Sequence, residues 1–309
     1  MTGISDLIDS HTHAQPSAAA GRAFVRNAGH EPVRDGDIDD LLASMKRAGI
    51  VRTVIVPWLP AQDMVQDRVA AGADRDQAVA EVVAKWRQLN GWAASLTRAH
   101  PDQISCLVGI DPVLMGEEVV RQEVAERLAA GACGLKVAPG SIYRRPNDPV
   151  MEVVWRTARE HGVFVLSESG AYPWGRDEKV WGHPSFFADV LRSYPSVTVQ
   201  LAHIGRGAED DVAHLTAEYP NVVTDISLRL LAENSPEKTA RLIHQIGADR
   251  VLFGSCFPAA DQIAYSEALR ALPLSEDDLR LVGHDNAARL LGLNLHRLAD
   301  KSEADGAGT

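Results

Sequence analysis

Eight short β-rich runs recur along the chain with room for a helix between each pair, and this rhythm constrains the fold more than any other feature. They fall at residues 4–13, 52–59, 104–111, 133–139, 163–169, 197–204, 222–227 and 251–258. Most are near-continuously apolar rather than alternating, the pattern of parallel strands buried on both faces. Amphipathic stretches lie between them, at 37–48, 117–130, 149–160, 184–193 and 236–245, many opening with Asp, Pro or Ser and closing near Gly. Ser275-Glu276-Asp277-Asp278 has the form of a capping box ahead of a helix that reaches Gly283, and 284–291 continues as a terminal helix. Strand and helix alternating eight times predict an α/β fold of one kind, a single (β/α)₈ TIM barrel, with its chemistry at the carboxyl ends of the strands. An open doubly wound sheet gives the same alternation, but no Gly-rich phosphate fingerprint follows the first run. Residues 14–35 and 60–75 are long enough for lids or inserts.

At 309 residues the chain suffices for one such barrel, expected over 1–298, with 299–309 a flexible tail poor in apolar residues. A hydrophobic share of 45% and a charged share of 24% suit a globular enzyme. The net charge of -11, with basic residues interspersed, argues against a nucleic-acid or anionic-membrane binder and leaves a small molecule as the expected partner. Homo-oligomerisation is left open. Three scattered cysteines cannot make a disulfide framework, and no apolar run is long enough for a membrane span, so the expected compartment is the cytoplasm.

The last residues of the strands carry the reactive groups. His11 and His13 end the first run two residues apart, so alternation puts both imidazoles on one face, where they can share a metal ion. Trp58, Asp111, Lys136, Glu168, His203, Asp225 and Cys256 end later runs and converge on the same mouth in a barrel. Lys136 and Arg206 are candidates for holding substrate charge, and Trp58 and His183, with Tyr172, Trp174 and Trp181, for walling a pocket. His183-Pro184 also reads as the start of a helix, and Asp225 as a brace for a neighbouring strand.

These pieces resemble the amidohydrolase superfamily, in the branch of metal-dependent decarboxylases and hydrolases that includes aminocarboxymuconate semialdehyde decarboxylase. The matching segments are Ile8-Asp9-Ser10-His11-Thr12-His13, Gly134-Leu135-Lys136-Val137, Asn147-Asp148-Pro149, Leu201-Ala202-His203-Ile204-Gly205, Leu252-Phe253-Gly254-Ser255 with Pro258, and Asn286-Ala287-Ala288-Arg289-Leu290-Leu291. The resemblance implies that His11 and His13 ligate a divalent transition metal (zinc, iron or manganese, as one ion or two). It implies that His203 positions or deprotonates a metal-bound water or assists protonation, and adds to the metal set.

Two positions depart from the family pattern. Glu168 stands where a ligating histidine is expected, and Cys256 where a ligating, proton-accepting aspartate is expected. Glu168 remains a candidate catalytic group and ligand, able to bridge two ions, with an ion pair to Arg144, Arg145 or Arg206 as its structural alternative. Cys256 reads as a thiolate ligand, a nucleophile or an inert buried thiol, in which the ligand leads. Cys106 and Cys133 read as small core residues. The expected activity is metal-dependent hydrolysis or decarboxylation of a small carboxylated, amide-like or acyl substrate. A non-haem di-iron oxygenase and a non-catalytic binding module are the alternatives.

Overall fold

The computed structural model describes residues 6–27, 29, 31–172, 176, 179–230 and 235–293. Eight strands form one sheet in chain order: β1 (Leu7–Thr12), β2 (Ile50–Ile55), β3 (Ile104–Gly109), β4 (Gly134–Val137), β5 (Phe164–Ser167), β6 (Val199–Leu201), β7 (Val222–Asp225) and β8 (Val251–Leu252). Every neighbouring pair is parallel. Past the end of β8 the chain returns to β1: Ser10 N–H donates to the Phe253 carbonyl at 2.9 Å and Cys256 N–H to the His11 carbonyl at 2.8 Å. The expected barrel architecture holds, and each strand overlaps one of the eight runs.

Two layers fill it. Val54, Val56, Leu107, Phe164, Leu166 and Ala202 pack together as one buried cluster. A larger cluster, anchored by Trp155, Phe187, Phe253, Phe257 and Tyr265, joins residues of the strands to residues of the helices. Burying such side chains stabilises the fold by roughly 1.5–3 kcal/mol each. Helix starts follow local chemistry: Asp37, Asp74, Asp111, Ser235, Asp261 and Ser275 each accept a backbone N–H of the first turn.

The observed strands stop short of the apolar runs at their carboxyl ends, for a physical reason. After β8, Ser255 and Cys256 give their amides to Asp9 and to the His11 carbonyl. After β6, Ala202–Gly205 turns with His203 and Ile204 at φ 62° and 49°. The backbone leaves the ladder where it begins to present side chains. Residues 14–35 carry the helix Ala18–Asn27, and residues 60–75 the helix Ala61–Ala70. The 25-residue helix Arg75–Ala99 has no counterpart in the sequence expectations. Its inner face alternates large residues with Ala78, Ala93 and Ala94, which dilutes the apolar period. Among the described residues no helix is long and apolar enough to cross a membrane. The expected tail at 299–309 and Trp174 lie outside the described residues.

Candidate metal centre and active site

A cavity of about 30 Å³ opens at the carboxyl ends of the strands, lined by His11, His13, Phe24, Trp58, Lys136, Glu168, Tyr172, His203, Leu228, Cys256 and Ala259. That volume admits one or two water-sized groups. Phe24, on Ala18–Asn27, lies 5.1 Å from the His13 ring and 5.6 Å from Trp58, and Trp58 lies 6.3 Å from Tyr172, so aromatic rings cover the opening.

The two imidazoles of β1 are aimed by their second nitrogens. His11 Nδ1–H donates to Asp225 Oδ2 at 3.1 Å, and His13 Nδ1–H to the Val56 carbonyl at 2.8 Å. With both protons on Nδ1, both Nε2 atoms carry lone pairs, and these atoms stand 3.1 Å apart. Two acceptors at that distance repel unless a cation or a proton lies between them. Burial pushes both rings toward the neutral form, strongly in His13, where the neighbouring His11 and Lys136 add to it. A shared proton is therefore disfavoured and a metal ion fits. The third member is Cys256: its sulfur and a ring nitrogen of each histidine all lie within 4.8 Å of one another.

His11, His203 and Asp225 form a second group of the same compactness, but hydrogen bonds account for it. His203 Nδ1 lies 3.1 Å from the Ser227 carbonyl and 2.7 Å from the Ser227 hydroxyl, which itself donates to Asp225. Asp225 also accepts from Gln200 Nε2 at 2.8 Å and from the His203 backbone N–H at 3.2 Å. Burial alone would raise this carboxyl, yet His11, His203 and Ser227 hold it well below the usual carboxylate range. His203, whose ring stacks on His11 at 5.2 Å, keeps Nε2 for the cavity, and burial and Arg206 keep it neutral.

Across the cavity lie two charged groups of another kind. Lys136 is only 3% exposed, and among the described residues no carboxylate oxygen comes within 4.0 Å of its ammonium. Burial pushes its amine down to about 8, against the attraction of Glu168, Asp225 and Cys256. Glu168 accepts the Gly140 N–H at 2.8 Å through Oε2, while buried Oε1 has no hydrogen-bond partner. Its carboxyl is pushed up to about 7 by burial, against Gly140, Lys136 and Arg206. The loop holding it is pinned to the one holding His203: a Cβ on Gly170 (φ +81°) would lie 2.0 Å from the Gly205 oxygen.

The structure thus brings His11, His13, Lys136, Glu168, His203, Cys256 and Trp58 to one cavity. Glu168 and His203 fall outside the compact His11, His13, Cys256 group, and Glu168 makes none of the expected arginine ion pairs: Arg144 reaches Asp148, and Arg145 lies over Phe186. Arg206 does not line the cavity, although its charge reaches Cys256 and Glu168. His183 caps the 3₁₀ turn Pro184–Phe187, accepting from Ser185 N–H, as its place before Pro184 suggested, and does not line the cavity. Asp111, expected at the mouth, instead caps the helix Pro112–Ala129 and binds Gln62. Asp225 does not line the cavity and braces the site from behind.

The residue that sequence reasoning missed is Asp9. Fully buried, it accepts His11 N–H at 3.2 Å, Ser255 N–H at 3.0 Å, Ser255 Oγ–H at 2.6 Å and Gln262 Nε2–H at 2.8 Å. It ties both metal-facing segments together and diverts the His11 amide from the ladder, where the β1 register shifts. A carboxylate inside an otherwise apolar strand start was the available signal.

The amidohydrolase family model matches residues 8–293, and the chain belongs to that family, as a metal-dependent hydrolase or decarboxylase by fold and site. Among solved structures it is similar to an uncharacterised TIM-barrel protein from Bordetella bronchiseptica (20% identity, 93% of this chain and 98% of that one, TM-score 0.71). It is also similar to 5-carboxyvanillate decarboxylase from Sphingomonas paucimobilis (17%, 94% and 100%, TM-score 0.68). A third is dihydroxybenzoic acid decarboxylase from Polaromonas with bound manganese and the inhibitor 2-nitroresorcinol (17%, 94% and 97%, TM-score 0.67). A search of curated proteins finds no match.

Proposed function

We propose that the protein is a metal-dependent decarboxylase of a small carboxylic acid. The observation that carries this reading is the buried ammonium of Lys136, without a carboxylate partner among the described residues, facing the same cavity as three neutral imidazoles. A buried cation of this kind is stabilised by an anion brought from outside. His11 and His13 would hold a divalent cation, which supplies Lewis-acid polarisation of a substrate oxygen. Lys136, with the field of Arg206 behind it, orients the substrate carboxylate. His203 Nε2, kept neutral, accepts a proton from a substrate hydroxyl. When the carbon–carboxylate bond breaks, carbon dioxide leaves and the electron pair stays on carbon. Glu168, with its carboxyl near 7, holds the proton that this carbon takes up. Phe24, Trp58 and Tyr172 exclude water, and a ring-sized substrate enters by displacing Phe24, whose helix buries only Gly21 and Val25.

The decarboxylases among the structurally similar proteins support this reading over hydrolysis. The oxygenase alternative needs a carboxylate bridging two ion sites, and Glu168 belongs to neither compact ligand group. The test is to offer the metal-loaded enzyme aromatic acids, 5-carboxyvanillate and 2,6-dihydroxybenzoate among them, beside amides and esters. Release of carbon dioxide is expected, with Lys136→Met raising KM by roughly tenfold to a hundredfold, the worth of a charged hydrogen bond. Turnover of amides or esters alone would overturn it.

A further inference from the structure

We propose that Cys256 supplies a thiolate to the ion held by His11 and His13, so that the centre selects thiophilic divalent ions such as zinc and cobalt over manganese. This rests on the metal-dependent reading above and gives the site a chemical preference. The three donor atoms lie within 4.8 Å of one another, and the two imidazoles already present lone pairs to a common point. Cys256 is placed there at a conformational cost: its backbone has φ 66°, a region that residues other than glycine enter only when the surroundings enforce it. The surroundings do so. Cys256 N–H is held by the His11 carbonyl at 2.8 Å, and Phe257 N–H by Ser255 Oγ at 3.0 Å. Asp9 grips both Ser255 and the His11 backbone.

An inert core thiol requires none of this, and Cys106, in the middle of β3, shows how such a thiol is normally placed. Glu168 Oε1, buried and without a partner, lines the same cavity and marks it as built for an occupant. Burial, with Asp225 and Asp9 adding to it, pushes the free Cys256 thiol up to about 12, while the charges of Arg206 and Lys136 act the other way and would offset part of the negative charge of a thiolate. Coordination removes the thiol proton outright. Two imidazoles and one thiolate would offer a borderline-soft donor set suited to zinc or cobalt, whereas manganese prefers carboxylate and water oxygens.

Metal-free protein titrated with cobalt(II) tests this directly. The wild type is expected to show a thiolate-to-cobalt charge-transfer absorption that persists in Cys106→Ser and Cys133→Ser and disappears in Cys256→Ser, which keeps the weaker visible cobalt bands. Equilibrated with equal zinc and manganese, the wild type is expected to retain zinc, and Cys256→Asp to shift the bound manganese-to-zinc ratio upward by about tenfold or more. Cobalt binding to the wild type without the charge-transfer band overturns the proposal whether or not any variant folds, and leaves the decarboxylase reading intact. Binding of manganese but neither cobalt nor zinc overturns the proposal alone, and failure of the wild type to bind any of the three overturns both.

Discussion

The two walls of the cavity are built on opposite terms. On the wall made by β1, β6, β7 and β8, His11, His203, Asp225, Ser227, Ser255 and Asp9 hydrogen-bond one another, and each imidazole has one nitrogen committed. On the wall made by β4 and β5, Lys136 has no carboxylate within 4.0 Å among the described residues and Glu168 leaves an oxygen unsatisfied. The first wall is a finished scaffold whose open lone pairs point at one spot. The second carries an ammonium and a carboxyl group that attract one another but form no direct ion pair. On the proposed reading the first wall holds an ion and the second receives a substrate carboxylate, and each half predicts a different response to mutation.

The largest effect is expected at Lys136. An amine lowered from 10.5 to about 8 by burial costs the fold about 3 kcal/mol at neutral pH. Between pH 8 and 10.5 the unfolded chain binds more protons than the folded one, so stability rises with pH there. The penalty is whole below about 8 and gone above 10.5. Lys136→Met should therefore stabilise metal-free protein by about 3 kcal/mol at pH 7 in urea unfolding, and by about half as much at pH 9.5. A variant less stable than wild type at pH 7 would mean that this wall is compensated from within, and the contrast would collapse.

Next comes Asp225 on the finished wall. Asp225→Asn removes the charge that fixes the His11 tautomer, and such supporting carboxylates are worth roughly 10- to 100-fold in metal affinity. Chelator competition with zinc should show that loss, while Glu168→Gln on the other wall stays within about threefold of wild type. Equal losses at both would place Glu168 among the ligands and merge the two walls.

The unequal legibility of these walls in the sequence has a physical basis. The barrel was readable because eight buried strands leave long apolar runs, and β1 announced its histidines through the two-residue spacing. Lys136, Glu168 and Cys256 were readable as strand-end residues once the barrel was assumed. The support behind the histidines was readable only in part: Asp225 stood among the strand-end residues as a brace, but its reach to His11, and that of Asp9 to Ser255 and Gln262 across nearly the whole chain, emerge only on three-dimensional closure. Asp111 read as a mouth residue, and His183 both as a pocket wall and as a helix start, for the converse reason. A short polar side chain just before a helix caps that helix, and capping residues sit at strand ends as naturally as catalytic ones do.

His183 therefore provides the smallest and sharpest comparison. Its Nδ1 accepts the Ser185 N–H at 3.3 Å, its Nε2 stands 3.9 Å from Asp211, and its ring is partly exposed on the outer side of the loop after β5. Removing it deletes a weak cap and nothing on either wall. His183→Ala should cost about 0.5 kcal/mol in urea unfolding and leave zinc affinity unchanged, because no hydrogen bond runs from this residue to His11, His13 or Cys256 among the described residues. A loss of zinc affinity as large as that of Asp225→Asn would show that the loop after β5 transmits to the centre. The division into a finished scaffold and an open wall would then have to include the pinning of Gly170 against Gly205 as a third element.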